Sequence, residues 1–167
     1  MNTPSSTCFS LLALLLILCC SPVHGISAQE EKLAIPEPYF AALIVSDLEI
    51  SNTWYQSTLG FEVITTKAIP EYGFEQTNLP NGAMNLELIQ LQSAVSPNEA
   101  IPNYSAKTRL QGIFKIGLQV QQFDKWMAHL QKLEVRFHGG VVTDPVSAQR
   151  MVIILDPDGN RIQLFEK

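Results

Sequence analysis

Charge is missing where the chain begins. No Asp, Glu, Lys or Arg occurs in residues 1–28, and Leu11 to Cys20 is an unbroken apolar run of ten residues. That is well short of the ~20 apolar residues a bilayer-spanning helix needs, and it suits the apolar region of a secretion signal. Val23-His24-Gly25 and Ile26-Ser27-Ala28 each place a small residue where a signal peptidase requires one. Residues 1–28 are therefore expected to be a signal peptide and its lead-in, although the usual basic residue before the apolar run is absent. Cysteine is the second scarcity: Cys8, Cys19 and Cys20 all fall inside that segment. The exported chain would hold none, which excludes disulfides, a thiolate nucleophile and cysteine metal ligands. Clusters of Lys and Arg are also missing. With 11 basic against 16 acidic residues, the net charge of −5 argues against nucleic acid and anionic membrane surfaces as partners. A Gly-x-Ser-x-Gly elbow, a phosphate loop and a dinucleotide fingerprint are absent too.

An apolar run ending in Cys has an alternative reading. Cys19 or Cys20 could carry a lipid anchor, ranked second because Leu18 or Cys19 stands where a small residue is required before the modified cysteine. Either way about 140 residues remain, enough for one domain with its own core. Residues 29–37 read as a flexible segment, and no transmembrane span is expected in the mature chain.

What is present is a repeat. Leu43-Ile44-Val45-Ser46-Asp47-Leu48-Glu49 recurs about 75 positions later as Leu118-Gln119-Val120-Gln121-Gln122-Phe123-Asp124, and Leu86-Glu87-Leu88 matches Ile162-Gln163-Leu164 at nearly the same offset. A period that long indicates a duplicated module within one domain, not a solenoid. The first half, 38–92, reads as a strand at Phe40–Val45, a helix from an N-capping Asp47 to Leu59 closed by Gly60, and strands at Phe61–Thr66, Phe74–Leu79 and Ala83–Leu91. After a polar connector, the second half, 112–167, predicts strands at Phe114–Val120, Val135–His138, Met151–Leu155 and Arg161–Glu166, with a helix over Phe123–Leu133. Leu79-Pro80-Asn81-Gly82 and Asp156-Pro157-Asp158-Gly159-Asn160 read as turns; the latter lacks the spacing of a calcium loop. Asn103-Tyr104-Ser105 matches a glycosylation sequon.

The motif Leu43-x-Val45-x-Asp47-Leu48-x-x-Ser51-x-x-Trp54-Tyr55 through Leu59-Gly60-Phe61 resembles the vicinal oxygen chelate superfamily, as does Asp156-Pro157-Asp158-Gly159-Asn160-Arg161-Ile162-Gln163-Leu164. That superfamily includes glyoxalase I, extradiol dioxygenases, and fosfomycin- and bleomycin-resistance proteins. The resemblance covers 38–167 and implies an α+β fold, two βαβββ modules forming a pseudo-symmetric curved mixed sheet around a central cleft. Strand alternation then puts Phe40, Ala42, Ile44, Asn85, Glu87, Ile89, Lys115, Gly117, Gln119, Arg161, Gln163 and Phe165 on the cleft side. Trp54 and Trp126 are assigned to helix packing instead.

Metal enzymes of the family take one ligand from each of four equivalent positions, here Phe40, Glu87, Lys115 and Gln163. Only Glu87 is an anionic ligand and Gln163 a neutral one, so both are weak metal candidates. The expectation is an exported small-molecule-binding protein of the bleomycin-resistance type, with no metal or other cofactor. Its ligand-binding residues would be Phe40, Asn85, Glu87, Lys115, Gln119 and Gln163. The alternative is a glyoxalase-like lyase, isomerase or dioxygenase that uses a divalent metal ion or a Lys115/Glu87 acid–base pair as its catalytic residues. The resemblance also makes a homodimer plausible.

Overall fold

A computed structural model of the chain describes residues 33–82, 84–105 and 107–167. The expected signal and its cysteines lie outside the described residues. The chain divides into two units, Met1–Glu37 and Pro38–Lys167, and everything below concerns the second.

The first module runs β1 (Ala41–Ile44), α1 (Leu48–Leu59), β2 (Thr65–Ile69), β3 (Phe74–Asn81) and β4 (Met84–Leu91). A short helix, α2 (Pro97–Ala100), interrupts the connector. The second module then runs β5 (Ile116–Val120), α3 (Phe123–Lys132), β6 (Val142–Thr143), β7 (Arg150–Leu155) and β8 (Arg161–Glu166). Each module is a four-stranded mixed sheet, ordered β1-β4-β3-β2 and β5-β8-β7-β6, with the first strand parallel to the last. The α+β, two-module fold is as the sequence implied.

Local chemistry sets the helix boundaries. Asp47 is extended, and its carboxylate accepts from Ile50 N at 2.8 Å, so it caps α1. Gly60 closes the helix at φ 69°, a left-handed conformation that only glycine adopts freely. Leu48, Tyr55 and Leu59 bury the inner face of α1 against Leu79, Leu86 and Leu88 of the sheet. In the second module Phe123 and Leu130 do the same against Val152, Ile154, Ile162 and Leu164. Trp54 and Trp126 pack at the margin of this core, as expected of helix-packing residues.

Two strand expectations are corrected. The strand expected at Phe61–Thr66 is placed at Thr65–Ile69, although Glu62 N and Ile64 N already donate to Pro80 O and Asn78 O. Phe61 turns into the core, so regular pairing starts later. The strand expected at Val135–His138 is not a ladder: Phe137 makes a single bridge to Ile154, and the edge strand β6 forms downstream at Val142–Thr143. Gly139, at φ 94°, breaks the backbone between them.

The two modules are joined through helices and turns. The Tyr55 hydroxyl donates to Asp156 Oδ2 at 3.0 Å, Ser46 N donates to both Asp158 oxygens at 3.1 and 3.2 Å, and His129 Nε2 lies 3.1 Å from Thr58 O. Asp156 also accepts from Asn160 N and Nδ2 at 2.7 and 2.8 Å. The turn read from sequence thus doubles as the clasp between halves.

Candidate functional site

Pairing register and burial together define the sheet faces turned away from the helices. On β1, Ala41 and Leu43 are half-buried while Ala42 and Ile44 are exposed; on β4, Leu86 and Leu88 are fully buried while Glu87 and Ile89 are half-exposed. Reading across β1, β4, β3 and β2 gives three rows on that open face. The first carries Phe40, Asn85 and Pro80. The second carries Ala42, Glu87, Asn78 and Thr65, and the third Ile44, Ile89, Gln76 and Lys67.

The second module repeats the grid. Its first row is Lys115, Arg161, Leu155 and Arg136, since Leu155 pairs with Arg161 and Leu155 N donates to Arg136 O. Its second row is Gly117, Gln163, Ile153 and His138, with His138 N donating to Ile153 O. Its third row is Gln119, Phe165, Met151 and Val142. Register thus makes Phe40 equivalent to Lys115 and Glu87 equivalent to Gln163.

The six expected ligand-binding residues occupy distinct settings. Phe40 is 52 % exposed and meets Tyr39 edge-on at 5.4 Å. Asn85 donates to Tyr39 O at 3.0 Å, which ties the start of β1 to β4. Glu87 sits half-buried beside Ala42 and opposite Asn78. Gln119 is exposed on β5. Gln163 is fully buried, and neither atom of its amide has a hydrogen-bond partner. Lys115 is exposed and lines an open cavity of about 1650 Å³, bounded by the ends of β1 and β4, the connector, and the starts of β5 and β8. The other five do not line it.

Lys115 and Glu87 do not meet: among the described residues neither forms an ion pair, so the acid–base pair expected between them is not assembled within one chain. Nor do three or more His, Cys, Asp or Glu residues gather in a metal-binding group among the described residues. No helix among them is long and apolar enough to cross a membrane.

The structure adds residues that the sequence reading left out. Arg136 and His138 share the cavity with Lys115 and Arg161, because the Phe137 bridge turns Phe137 into the core and its two neighbours outward. Arg161 stacks over Phe114, with its guanidinium carbon 4.7 Å from the ring centroid, and its Nε is buried without a partner. The alternation Arg136-Phe137-His138 was the available signal.

The two groups whose acidity burial raises, Tyr55 and Asp156, lie at the clasp and do not line this cavity. Burial pushes the Tyr55 hydroxyl far above its ordinary range, reinforced by the neighbouring Asp156 carboxylate. Burial likewise raises Asp156, against the opposing hydrogen bonds from Asn160 and Tyr55. These groups are structural in position, since they lie between elements and not on an open face.

With the duplicated sheets and their grid in place, comparison with known proteins is direct. The family model described as Glyoxalase/Bleomycin resistance protein/Dioxygenase superfamily matches residues 39–164. The chain belongs to this superfamily. A Bacillus subtilis (strain 168) relative, the uncharacterized protein YwkD, is 27 % identical over 127 residues, spanning 75 % of this chain and 93 % of that one. A solved glyoxalase family protein from Enterococcus faecalis superposes with a TM-score of 0.67 at 21 % identity, covering 78 % of this chain and 97 % of its own. The crystal structure of SMU.1112c also gives a TM-score of 0.67, at 28 % identity, covering 80 % and 100 %. Superfamily membership fixes the fold and the equivalence of the cleft positions, while the chemistry depends on the side chains present.

Proposed function

We infer that this protein is an exported, metal-independent binder of a small molecule, held against the open sheet faces. The observation that carries this reading is the side-chain set at the four equivalent positions: Phe40, Glu87, Lys115 and Gln163. A divalent ion needs several anionic or lone-pair donors, and an ammonium beside it is repulsive. This donor set does not fit such an ion. A largely apolar wall with a few polar anchors is what small-molecule sites present, and Ile44, Ile89, Ile153 and Phe165 beside Asn85, Gln119 and Gln163 have that character. The enzymatic alternative, a glyoxalase-like lyase, isomerase or dioxygenase, is not favoured by any specific contact, since Lys115 and Glu87 stand apart.

Export rests on the uncharged segment of residues 1–28 and its apolar run. A homodimer is part of the proposal, because Phe40 at 52 % and Ile44 at 56 % exposure leave apolar surface on the open face for a second copy to cover. Elemental analysis of the purified protein decides the central point. The expected result is no stoichiometric transition metal and ligand binding unaffected by a chelator. Stoichiometric Zn, Ni, Mn or Fe whose removal abolishes function would overturn the proposal. Sedimentation analysis of the same sample reads the dimer.

A further inference from the structure

The two modules are duplicates in backbone but not in charge. On the open face of the first module the row nearest the start of β1 is uncharged: Phe40, Asn85 and Pro80. The equivalent row of the second module is cationic. Lys115 immediately precedes Ile116, Arg161 immediately precedes its partner Ile162, and Arg136 joins through Leu155. Strands in a sheet lie about 4.8 Å apart, so these side chains emerge from one face at close spacing. His138 stands in the next row, two residues from Arg136, and all four line the same cavity.

Like charges on neighbouring strands repel, and such a row is expected only where something compensates it. Little within the chain does so. Among the described residues Lys115, Arg136 and Arg161 form no ion pair. Arg136 donates to the Asp156 carbonyl at 3.0 Å, and Arg161 spends its face on Phe114 while its buried Nε has no acceptor. The acidic groups bounding the cavity are mostly engaged elsewhere. Asp158 accepts from Ser46 N, and Glu99 accepts from Ser96 N and Oγ at the start of α2. Glu75 belongs to β3 of the first module. Asp144 lies near enough for Lys115 to help lower its carboxyl, after the larger effects of its bonds to Ser147. Apolar residues close the remaining wall: Ile44, Leu110, Ile113 and Phe114 are all exposed in the cavity.

We propose that this cavity takes a small organic anion, its carboxylate or phosphate held by Arg161, Arg136 and Lys115 with His138 alongside, and its apolar body against Phe114 and Ile113. This rests on the binding reading above and specifies the ligand's charge. Guanidinium groups in a row suit such anions because their planar N–H forks match paired oxygens, and partial burial strengthens each bond.

Calorimetric titration of the full-length mature protein with hexanoate, hexyl phosphate and neutral hexanamide tests it. One or both anions should bind, more weakly as salt is raised, and hexanamide should not. The preferred anion tells carboxylate from phosphate recognition. Arg161→Gln and Arg136→Gln should each weaken anion binding about tenfold or more, while Lys132→Gln, at the end of α3, leaves it unchanged. Circular dichroism verifies folding of each variant, and Lys115→Gln substitutes for any that fails. Hexanamide binding as well as the anions would sink the anion inference and leave the small-molecule reading standing. Silence from all three probes would count against both. Unchanged affinity in the arginine variants would overturn the assignment of the site.

Discussion

Gln163 is fully buried on a sheet face, and its amide oxygen and nitrogen both lack partners. Leaving such a group unpaired costs about 1–3 kcal/mol, and an apolar replacement of similar shape removes that cost. Gln163→Leu should therefore stabilise the fold by about 1 kcal/mol in chemical denaturation. A side chain at the neighbouring Gly117 would meet the Phe165 ring at 3.9 Å, so the glycine keeps the approach to that amide narrow, and the same substitution should weaken any ligand that engages it. Lower stability in the leucine variant would mean that the amide makes a stabilising contact in solution. The contrast with Glu87 is instructive. The two positions are equivalent by duplication, yet one is a half-buried carboxylate and the other a buried amide, so neither half can be inferred from its twin.

At the scale of elements, stability comes from caps and lateral clamps, of which the caps at Asp47 and Gly60 were legible in the sequence. Asp47 caps α1 through Ile50 N, and removing that acceptor leaves a helix donor unsatisfied. Asp47→Ala should cost about 1 kcal/mol, checked by the denaturation midpoint, with Asp47→Ser recovering most of it. The equivalent position before α3 has diverged: Gln122 sits at φ 57° and its side chain makes no cap. Instead α3 is fastened laterally. Arg150 on β7 reaches Asp124 at 2.9 Å and Glu166 at 2.7 Å and covers the Phe123 ring. Both carboxyls are held below their ordinary range by that guanidinium. Carboxyls lowered in the folded state stabilise it above their unfolded values, and that contribution is lost as the pH falls. The difference in melting temperature between wild type and Arg150→Gln should accordingly shrink towards zero as the pH drops below about 4.

For the whole molecule the decisive contact is the clasp of Tyr55 on Asp156, which fastens α1 of one module to the β7–β8 turn of the other. Removing the hydroxyl breaks a buried bond to a carboxylate, and Tyr55→Phe should cost about 1–3 kcal/mol at neutral pH. Its alkaline behaviour follows from linkage. The Tyr55 hydroxyl ionises far above its ordinary value in the folded protein, so its contribution is intact below about pH 10, the unfolded value, and declines as the pH rises beyond it. Wild type should therefore lose stability between pH 10 and 11 more steeply than Tyr55→Phe. Parallel slopes for the two proteins would show that Tyr55 is not buried in solution.

The sequence by itself determined the modules. Asp47, Gly60, the alternation of Leu86 and Leu88 with Glu87, and the Asp156–Asn160 turn are local signals, because caps, turns and strand periodicity act over a few residues. Their recurrence about 75 positions apart announced the duplication. The cleft was legible only in part. Register could be extrapolated to Lys115 and Gln163, but not the burial of Gln163 or the separation of Lys115 from Glu87, which depend on how the two sheets sit. Arg136 was not assigned to the cleft and His138, at the far end of its strand, was discounted for the same reason. A single bridge at Phe137, formed with a strand 17 residues away, turns both outward beside Lys115 and Arg161. The local alternation puts Arg136 and His138 on one face but does not say which strand Phe137 pairs with, and it is the tertiary structure that decided which charges share a cavity.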